Sequence, residues 1–336
     1  MSLVLAVDAG GTSTRAVVLD ETGRATGYGR AGGGNPLSSG IEVAAESLGT
    51  AVGDALASAE VDPSRIGSTT IAMAGAATHL PADDPRNRAI AEALGRCGVD
   101  TGFALRSDLL AMFCAGTFAL DGYALVAGTG AAAIRVRGGQ TEHVVDGMGW
   151  LLGDAGSGFS IGHAVIRAVV ADIDGRGAAT PMTAAVLASL GLDDVVDRST
   201  GTEAPRPPVL HRLVDDLYAM RPVRMARFAP FAFTFPDDPT ARQIVDAATA
   251  ALAATISAAV DPEVDGPLVL GGSVLLRQEQ VASTVAEAWR AQGRTGPTVL
   301  VDEGTAGAAV LALRDGGVSV DSEVFARLSG SLAGLR

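Results

Sequence analysis

The 336-residue chain is 48% apolar, 19% charged and 4% aromatic, and its 43 glycines complete a composition typical of a globular α/β protein rather than a disordered one. Its length predicts more than one domain, and its formal net charge of −13, without a cluster of Lys and Arg, argues against a nucleic-acid partner. With no apolar stretch near the roughly 20 residues of a membrane helix and no basic leader, we expect a cytoplasmic protein with no membrane partner.

The first twenty residues predict a β-hairpin around a glycine turn. The apolar runs Leu3–Val7 and Ala16–Leu19 flank the segment Asp8–Thr14. Gly10 and Gly11 permit a sharp turn and the close approach of a ligand. Taken alone, the segment is as typical of an ordinary glycine turn as of a phosphate loop. Hydroxyl and amide groups that can face phosphate oxygens come from Thr12, Ser13 and Thr14.

Hydrophobic spacing predicts three further strands and three helices in the first 118 residues. The order is therefore β-β-β-α-β-α-β-α. The predicted strands are Ala25–Arg30, Thr69–Ala74 and Gly102–Arg106, and the predicted helices are Ser38–Ser58, Pro85–Cys97 and Asp108–Phe118.

The same order then begins again, which indicates a duplicated fold. A strand at Tyr123–Ala127 leads into Gly128, Thr129 and Gly130. Two such halves facing each other place their glycine loops at the strand ends, where α/β sheets bind ligands. The other predicted elements are strands at Ala131–Arg137, Gln140–Asp146, Pro267–Val274 and Thr298–Val301, and helices at Phe159–Ala171, Pro239–Ala259, Gln280–Gln292, Thr305–Leu313 and Ser322–Leu332.

The order and spacing of these segments resemble the superfold shared by actin, sugar kinases and heat-shock chaperone ATPases. Within it the chain looks like the N-acetylglucosamine and glucosamine kinases of the BadF/BadG/BcrA/BcrD ATPase group, over nearly its whole length. Matching segments are Asp8–Thr14 and Leu125–Ala132 for the phosphate motifs, Leu268–Leu275 for the adenosine motif, and Leu109–Phe118 and Glu303–Leu313 for the connecting helices.

The resemblance implies an α/β fold of two ribonuclease H-like domains, each βββαβαβα, with the ATP and sugar cleft between them. The first domain is expected to comprise residues 1–118 together with about 315–336. The second is expected to comprise residues 119–314, with a helical insertion at about 172–262.

The most specific part of the resemblance is Gly149–Gly162, which is similar to the Gly-Asp-Glu-Gly-Ser segment of amino-sugar kinases. Asp154 falls on the family's Asp, which hydrogen-bonds sugar hydroxyls; a helix N-cap explains its position as well. The family's following Glu is Ala155 here, so any role of that carboxylate in choosing the acceptor is absent.

Asp108 is the predicted catalytic base, at the family's Asn-Asp position with Ser107 in place of Asn. A kinase needs a carboxylate near the acceptor hydroxyl to take its proton, although an N-cap role fits Asp108 equally well. Asn35 matches the asparagine that the family uses on the sugar. Gly75 and Ala76 fall where backbone lines the sugar pocket, and Gly128 is assigned to substrate as well as nucleotide.

The nucleotide site is expected from the same resemblance. Besides the first loop, the β- and γ-phosphates are assigned to Gly128, Thr129 and Gly130. Magnesium is expected on Asp8, because Mg²⁺ is usually held by one or two carboxylates together with phosphates and waters. The adenine and ribose are assigned to Gly271, Gly272 and Ser273.

These assignments predict an ATP-dependent kinase that phosphorylates the 6-hydroxyl of glucosamine or N-acetylglucosamine. One alternative is an ATPase that activates a partner enzyme, but such activators group cysteines around an iron–sulfur cluster, and Cys97 and Cys114 are not grouped. Another is a sugar-sensing regulator without catalysis.

An apolar patch at Phe228–Phe235 is compatible with core, lid or interface, and we expect a homodimer.

Overall fold

The computed structural model describes residues 3–74, 83–192 and 206–336. Within these ranges the chain forms two mixed five-stranded sheets with helices packed on their faces. The strands are β1 (Leu3–Ala9), β2 (Thr14–Leu19), β3 (Ala25–Ala31), β4 (Ile66–Met73), β5 (Ala104–Ser107), β6 (Gly122–Ala127), β7 (Ala131–Arg137), β8 (Gln140–Asp146), β9 (Leu268–Gly271) and β10 (Thr298–Val301).

The helices follow the strands in a pattern that repeats after β5, with an additional helical segment in the second half. They are α1 (Pro36–Ser39), α2 (Ile41–Ala59), α3 (Pro85–Arg96), α4 (Asp108–Gly116), α5 (Gly158–Ile173), α6 (Met182–Ser189), α7 (Pro208–Tyr218), α8 (Pro230–Thr234), α9 (Pro239–Ala259), α10 (Ser273–Arg277), α11 (Glu279–Ala291), α12 (Thr305–Asp315) and α13 (Ser322–Ala333), with 3₁₀ turns at Pro63–Arg65 and Pro222–Phe228.

The two sheets have the same topology, which confirms the predicted duplication. The first has the order β3-β2-β1-β4-β5 and the second β8-β7-β6-β9-β10. In each, three antiparallel strands form a meander, the first of them pairs in parallel with the fourth strand, and the fourth pairs in parallel with the fifth. The carboxyl ends of the three parallel strands therefore lie at one edge of each sheet, where α/β proteins bind their ligands.

Two glycines with positive φ end elements of the fold. The single helix expected over Ser38–Ser58 is interrupted at Gly40, whose φ of 88° separates α1 from α2. The strand expected in Pro267–Val274 ends in its glycines as predicted, at Gly271, because Gly272 has a φ of 87° and the chain turns into α10. Hydrophobic periodicity does not register such a turn, since it depends on backbone conformation.

The apolar core has three parts. One lies between the first sheet and α2 and α3, and a second lies between the second sheet and α5, α9 and α11. The third is shared by both sheets and contains α4, α12 and α13. Phe228 is buried in the second part, with Phe231, Phe233 and Phe235 packed against it, so this aromatic patch belongs to the core.

The connecting helices cross between the two sheets. Helix α4, which follows the first sheet, contributes to the core beside β6 and β9, whereas α12, which follows the second, packs on β1 and β4. Asp315 at the end of α12 accepts hydrogen bonds from Thr70 (2.8 Å) and Arg106 (2.5 Å) in the first sheet. Helix α13 continues on the same side, where Ser331 accepts from the amide of Ala25 at 2.9 Å.

We call the first sheet with its packed helices the first lobe, and the second sheet with its helices the second lobe. The domain boundaries at residues 118 and 314 stay a prediction. No helix of the described ranges is long and apolar enough to cross a membrane.

The crossing of α4 and α12 depends on Gly307. A Cβ on this residue would lie 1.6 Å from the carbonyl oxygen of Ala111, so the backbones must move apart to admit any side chain. We predict that Gly307→Ala lowers the free energy of unfolding by about 3 kcal/mol, as overpacking of a core does. Urea unfolding measures the effect.

Gly330 is the matched control, because it lies inside α13 and a Cβ there meets nothing within 4 Å. Gly330→Ala is expected to stabilise the protein by about 0.5–1 kcal/mol through its better helix propensity. Equal unfolding midpoints for the two variants would contradict the packing argument.

Candidate functional site

The carboxyl edges of the two sheets meet at Asp8. This residue lies near the end of β1, and its carboxylate oxygens are 3.3 Å from the position that a Cβ on Gly304 would occupy. Gly304 follows β10 of the second sheet and precedes α12. A Cβ there would be a tight contact with the carboxylate, so the predicted magnesium ligand lies at the junction of the two lobes.

Asp8 is buried, with 7% of its surface exposed. Burial raises the pKa of its carboxyl from 3.8 to about 6, against the lowering effect of Arg15, and the charges of Glu303 and Asp108 raise it further. The Arg15 guanidinium is 3.7 Å from Asp8 Oδ2, which is longer than a hydrogen bond. Asp8 is therefore a poorly compensated carboxylate, which favours a bound cation.

Glu303 is a site residue that the sequence reasoning treated only as the start of a connecting helix. Its Oε2 lies 2.5 Å from Nε of Arg15, and its Oε1 forms an ion pair with Arg336. Glu303 therefore draws Arg15 away from Asp8. No motif reveals this, because the three residues are far apart in sequence and only the meeting of the two lobes brings them together.

Asp108 lies where β5 ends and α4 begins. Burial raises the pKa of its carboxyl. The N-cap of α4 is Ser107, whose hydroxyl accepts from the amide of Leu109 at 3.2 Å, and Oδ1 of Asp108 accepts from the same amide at 2.9 Å. The carboxyl also accepts from the amide of Asp108 itself, and the charge of Asp108 raises the pKa of Asp8.

Asn35 and the first glycine loop form one hydrogen-bonded unit. The carbonyl of Gly10 accepts from the amides of Gly34 (3.0 Å) and Asn35 (3.2 Å), and the hydroxyl of Ser38 donates to the carbonyls of Asn35 and Gly11. Asn35 is buried. The predicted sugar ligand and the predicted phosphate loop are thus held in one fixed relation.

The three hydroxyl residues of the first loop lie in different surroundings. Thr12 is exposed, whereas Ser13 and Thr14 are buried. The hydroxyl of Thr14 donates to the carbonyl of Gly32 at 2.8 Å. Thr14 therefore stabilises the loop from within, and Thr12 presents the side chain that is open to a ligand.

The second glycine loop is joined to the start of α5. The amides of Gly158 and Phe159 donate to the carbonyls of Gly128 (2.7 Å) and Thr129 (3.1 Å). Thr129 is exposed, and a Cβ on Gly128 would meet nothing within 4 Å. The loop therefore has an open face, as a phosphate cradle requires.

Asp154 lies against this second loop, with a φ of 58°. Its Oδ1 accepts from the amide of Ala131 at 3.3 Å, and burial raises the pKa of its carboxyl. Asp146 holds the turn by accepting from the amide of Asp154 at 2.7 Å. The N-cap of α5 is Ser157 and not Asp154, so the alternative reading of Asp154 as a cap is wrong.

The predicted adenosine loop touches the second phosphate loop. A Cβ on Gly272 would lie 2.5 Å from the carbonyl of Ala127, and one on Gly271 would lie 2.3 Å from Cε of Met112. Close packing against backbone therefore requires Gly272, whereas the flexible end of Met112 can move away from a side chain at 271, and Ser273 begins α10 beside them. Gly75 and Ala76 lie outside the described residues.

The carboxylates and loops fit magnesium and a nucleotide without a dedicated metal cage. Within the described ranges, no three His, Cys, Asp or Glu side chains surround a common point. The buried carboxylate of Asp8, with incomplete compensation by Arg15, is the group that suits a divalent ion. A site with one carboxylate is typical of Mg²⁺ that also binds substrate phosphates.

The sequence profile of the BadF/BadG/BcrA/BcrD ATPase family matches residues 5–312. The chain belongs to this family. The match includes β1 with Asp8, the second glycine loop, and most of α12. It therefore spans both lobes and the junction between them.

The chain is also similar to known proteins, with low sequence identity to each. A glucosamine kinase of Vibrio cholerae is 26% identical over 207 residues, which is 61% of this chain and 68% of the relative. A solved structure from Porphyromonas gingivalis, provisionally named an N-acetylglucosamine kinase, is 22% identical with a TM-score of 0.65 and covers 94% of this chain and 100% of its own.

A ROK family glucokinase from Streptomyces griseus, solved with glucose and AMPPNP, has a TM-score of 0.53 at 17% identity, over 93% of this chain and 100% of its own. At these identities, the two solved structures support the fold alone.

The burial of Asp8 predicts a pH dependence of stability in metal-free buffer. Because the pKa of Asp8 rises from 3.8 to about 6 on folding, the folded protein binds more protons between these pH values, and stability falls as pH rises through them. We predict that Asp8→Asn stabilises the protein at pH 7.5 by up to about 3 kcal/mol, and that the gain shrinks toward pH 4. Urea unfolding in EDTA measures it.

Asp20→Asn is a control of opposite sign, because the raising effect of burial on the pKa of Asp20 is outweighed by hydrogen bonds from Thr22 and Arg24 and by the charge of Arg24, which leave that pKa below 3.8. That variant is expected to be less stable than the wild type above pH 3.8, and the difference should shrink as pH falls below this value. A gain for Asp8→Asn that is the same at pH 4 and pH 7.5 would contradict the assignment.

Proposed function

We propose that the protein is an ATP-dependent amino-sugar kinase that transfers the γ-phosphoryl group of ATP to the 6-hydroxyl of glucosamine or N-acetylglucosamine. The observation that carries the proposal is the pair of carboxylates, the buried Asp8 and the half-buried Asp108, at the carboxyl edge of the first sheet. Kinases need two such roles, one for a metal and one for a proton. Membership of the ATPase family and the glucosamine kinase relative support the same activity.

In the proposed mechanism, Asp108 orients the sugar hydroxyl and accepts its proton as the oxygen attacks the γ-phosphorus. One carboxylate oxygen is fixed by the amide of Leu109, which sets the direction of the other. Burial raises the pKa of Asp108 and makes it a stronger base than an exposed Asp. The bond from the γ-phosphorus to the bridging oxygen breaks, and ADP leaves.

The nucleotide is expected between the two glycine loops. Thr12 and Thr129 present exposed hydroxyls from opposite lobes, and the open space at Gly128 admits phosphate oxygens. When bound, Mg²⁺ neutralises charge on the phosphates, with Asp8 as its protein ligand. Gly271, Gly272 and Ser273 are expected to contact adenosine.

The acceptor sugar is expected between Asn35 of the first lobe and Asp154 of the second. The amide of Asn35 can donate to one hydroxyl and accept from another. The carboxylate of Asp154 accepts from the amides of Ala131 and Gly149, and its remaining lone pairs can accept from a sugar hydroxyl. Gly75, Ala76 and Gly128 are proposed to line the same pocket.

The proposed homodimer rests on the sequence alone, and the aromatic patch that prompted it belongs to the core instead.

The activator alternative lacks support, because Cys97 and Cys114 are both free and Cys114 is buried in the core between the lobes. Burial raises the pKa of the Cys114 thiol to about 11, so it is a poor ligand for iron.

A panel of glucosamine, N-acetylglucosamine, glucose and N-acetylmannosamine with ATP tests the function. We expect ADP release to depend on an amino sugar, with one of the first two giving the highest kcat/KM and a product carrying phosphate on O6. ATP consumption that is independent of every sugar would overturn the proposal and favour the activator class. Mass spectrometry and NMR of the product supply the measurement.

Asp108→Asn tests the base. We predict a fall in kcat of about 10²–10⁴-fold, because the amide keeps the shape of Asp108 but accepts no proton. Sugar and ATP affinity, measured by calorimetry, should change little. Asp62→Asn is the control, since this carboxylate also lies at the start of a helical turn but is exposed and far from the cleft. Near-normal turnover of Asp108→Asn would remove Asp108 from the mechanism.

A further inference from the structure

A hydrogen bond from Arg221, the residue before the 3₁₀ turn Pro222–Phe228 of the second lobe, reaches the Asn35 loop of the first lobe. Nη1 of Arg221 donates to the carbonyl oxygen of Ser38 at 2.5 Å. Ser38 lies in the single turn of α1, close to its end, where helix carbonyls have no partner within the helix. A charged guanidinium is a strong donor for such a group.

On the first lobe, this contact reaches both of the proposed ligand-binding features. The turn of α1 starts at the carbonyl of Asn35, which accepts from the amides of Ser38 and Ser39 at 3.1 and 2.9 Å. The hydroxyl of Ser38 also approaches the carbonyl of Gly11 at 3.4 Å. A group that holds Ser38 therefore holds the Asn35 loop and the first phosphate loop together.

On the second lobe, Arg221 is fixed by the packing of the 3₁₀ turn that follows it. This turn, Pro222–Phe228, lies on α5 at a contact that only glycine allows, because a Cβ on Gly162 would lie 2.0 Å from the carbonyl of Met225. A Cβ on Gly158 would likewise meet Ala226 at 3.5 Å. Since the first amides of α5 bond to the second glycine loop, Arg221 is placed relative to that loop.

Helices α12 and α13 contact the first lobe at residues other than the Asn35 loop. Asp315 accepts from Thr70, Ser331 accepts from the amide of Ala25, and Arg327 donates to the carbonyl of Thr22. These pairs hold the first sheet to the shared core. The Arg221 contact instead joins the Asn35 loop to the start of the 3₁₀ turn Pro222–Phe228. The hydrogen bond is therefore kept only while this loop and this turn stay at their present separation.

We propose that Arg221 is a positioning residue that locks the Asn35 loop to the second lobe and thereby sets the affinity for the acceptor sugar. The inference rests on the proposed function. When the bond is lost, the lobes separate more readily, the sugar loses the fixed position of Asn35, and water reaches the γ-phosphate more often. The side chain is exposed, so its removal opens no cavity in the core.

The kinetic test compares Arg221→Ala, Arg221→Lys and Arg224→Ala. Arg224 lies in the same 3₁₀ turn and is exposed, which makes it the matched control. We expect Arg221→Ala to raise the KM for the amino sugar about five- to tenfold with the KM for ATP within twofold, and to raise ATP hydrolysis without sugar relative to transfer. Arg221→Lys should recover part of the sugar affinity, and Arg224→Ala should match the wild type.

A second measurement does not depend on the reaction. Hydrogen exchange of the peptide covering residues 34–40 should be several-fold faster in Arg221→Ala than in the wild type and in Arg224→Ala, with equal melting temperatures. If the wild type phosphorylates no amino sugar, the proposed function fails, and the exchange result alone decides the role of Arg221. Unchanged exchange overturns the inference, and so does a sugar KM within twofold of the wild type in an active enzyme.

Discussion

The burial of the Asp8 carboxylate at the junction of the two sheets is the constraint on which the site depends. Burial raises its pKa to about 6, and Arg15 is turned from it toward Glu303. An ion pair that fully compensated Asp8 would leave no reason for a cation to bind. The chain instead keeps this carboxylate under-compensated, which is a destabilising feature typical of functional sites.

The duplicated topology explains why this junction exists. In each sheet, the parallel arrangement of the first, fourth and fifth strands brings three carboxyl ends to one edge. The crossing of α4 and α12, which Gly307 allows, then joins the two halves in a shared core. Because of this packing, Asp8 at the edge of the first sheet lies against Gly304, which follows the last strand of the second.

The glycine loops take part in a wider set of contacts than a phosphate cradle requires. The first loop is bonded to Asn35 and Ser38, and the second to the start of α5. Close packing at Gly162 also holds the 3₁₀ turn that follows Arg221 against α5. The proposed sugar and nucleotide sites are thereby coupled through backbone hydrogen bonds, a basis for linking sugar binding to phosphoryl transfer.

Much of the fold and part of the site follow from the sequence alone. Alternating and helical spacing predict nearly every strand and long helix, because burial of one face imposes a period on the chain. The family match over residues 5–312 includes both glycine loops, α4 and most of α12. The break at Gly40 was missed, since a positive φ leaves no mark on hydrophobic periodicity.

Only the tertiary structure decides how charges meet. Glu303 forms ion pairs beside Asp8 with Arg15 of β2 and with Arg336 after α13, although Arg15 is far from both in sequence. The contact from Arg221 to Ser38 is likewise invisible in sequence. The sequence determines which residues are apolar, flexible or ionisable; electrostatic interactions depend on distance and burial, and these exist only once the two lobes have packed.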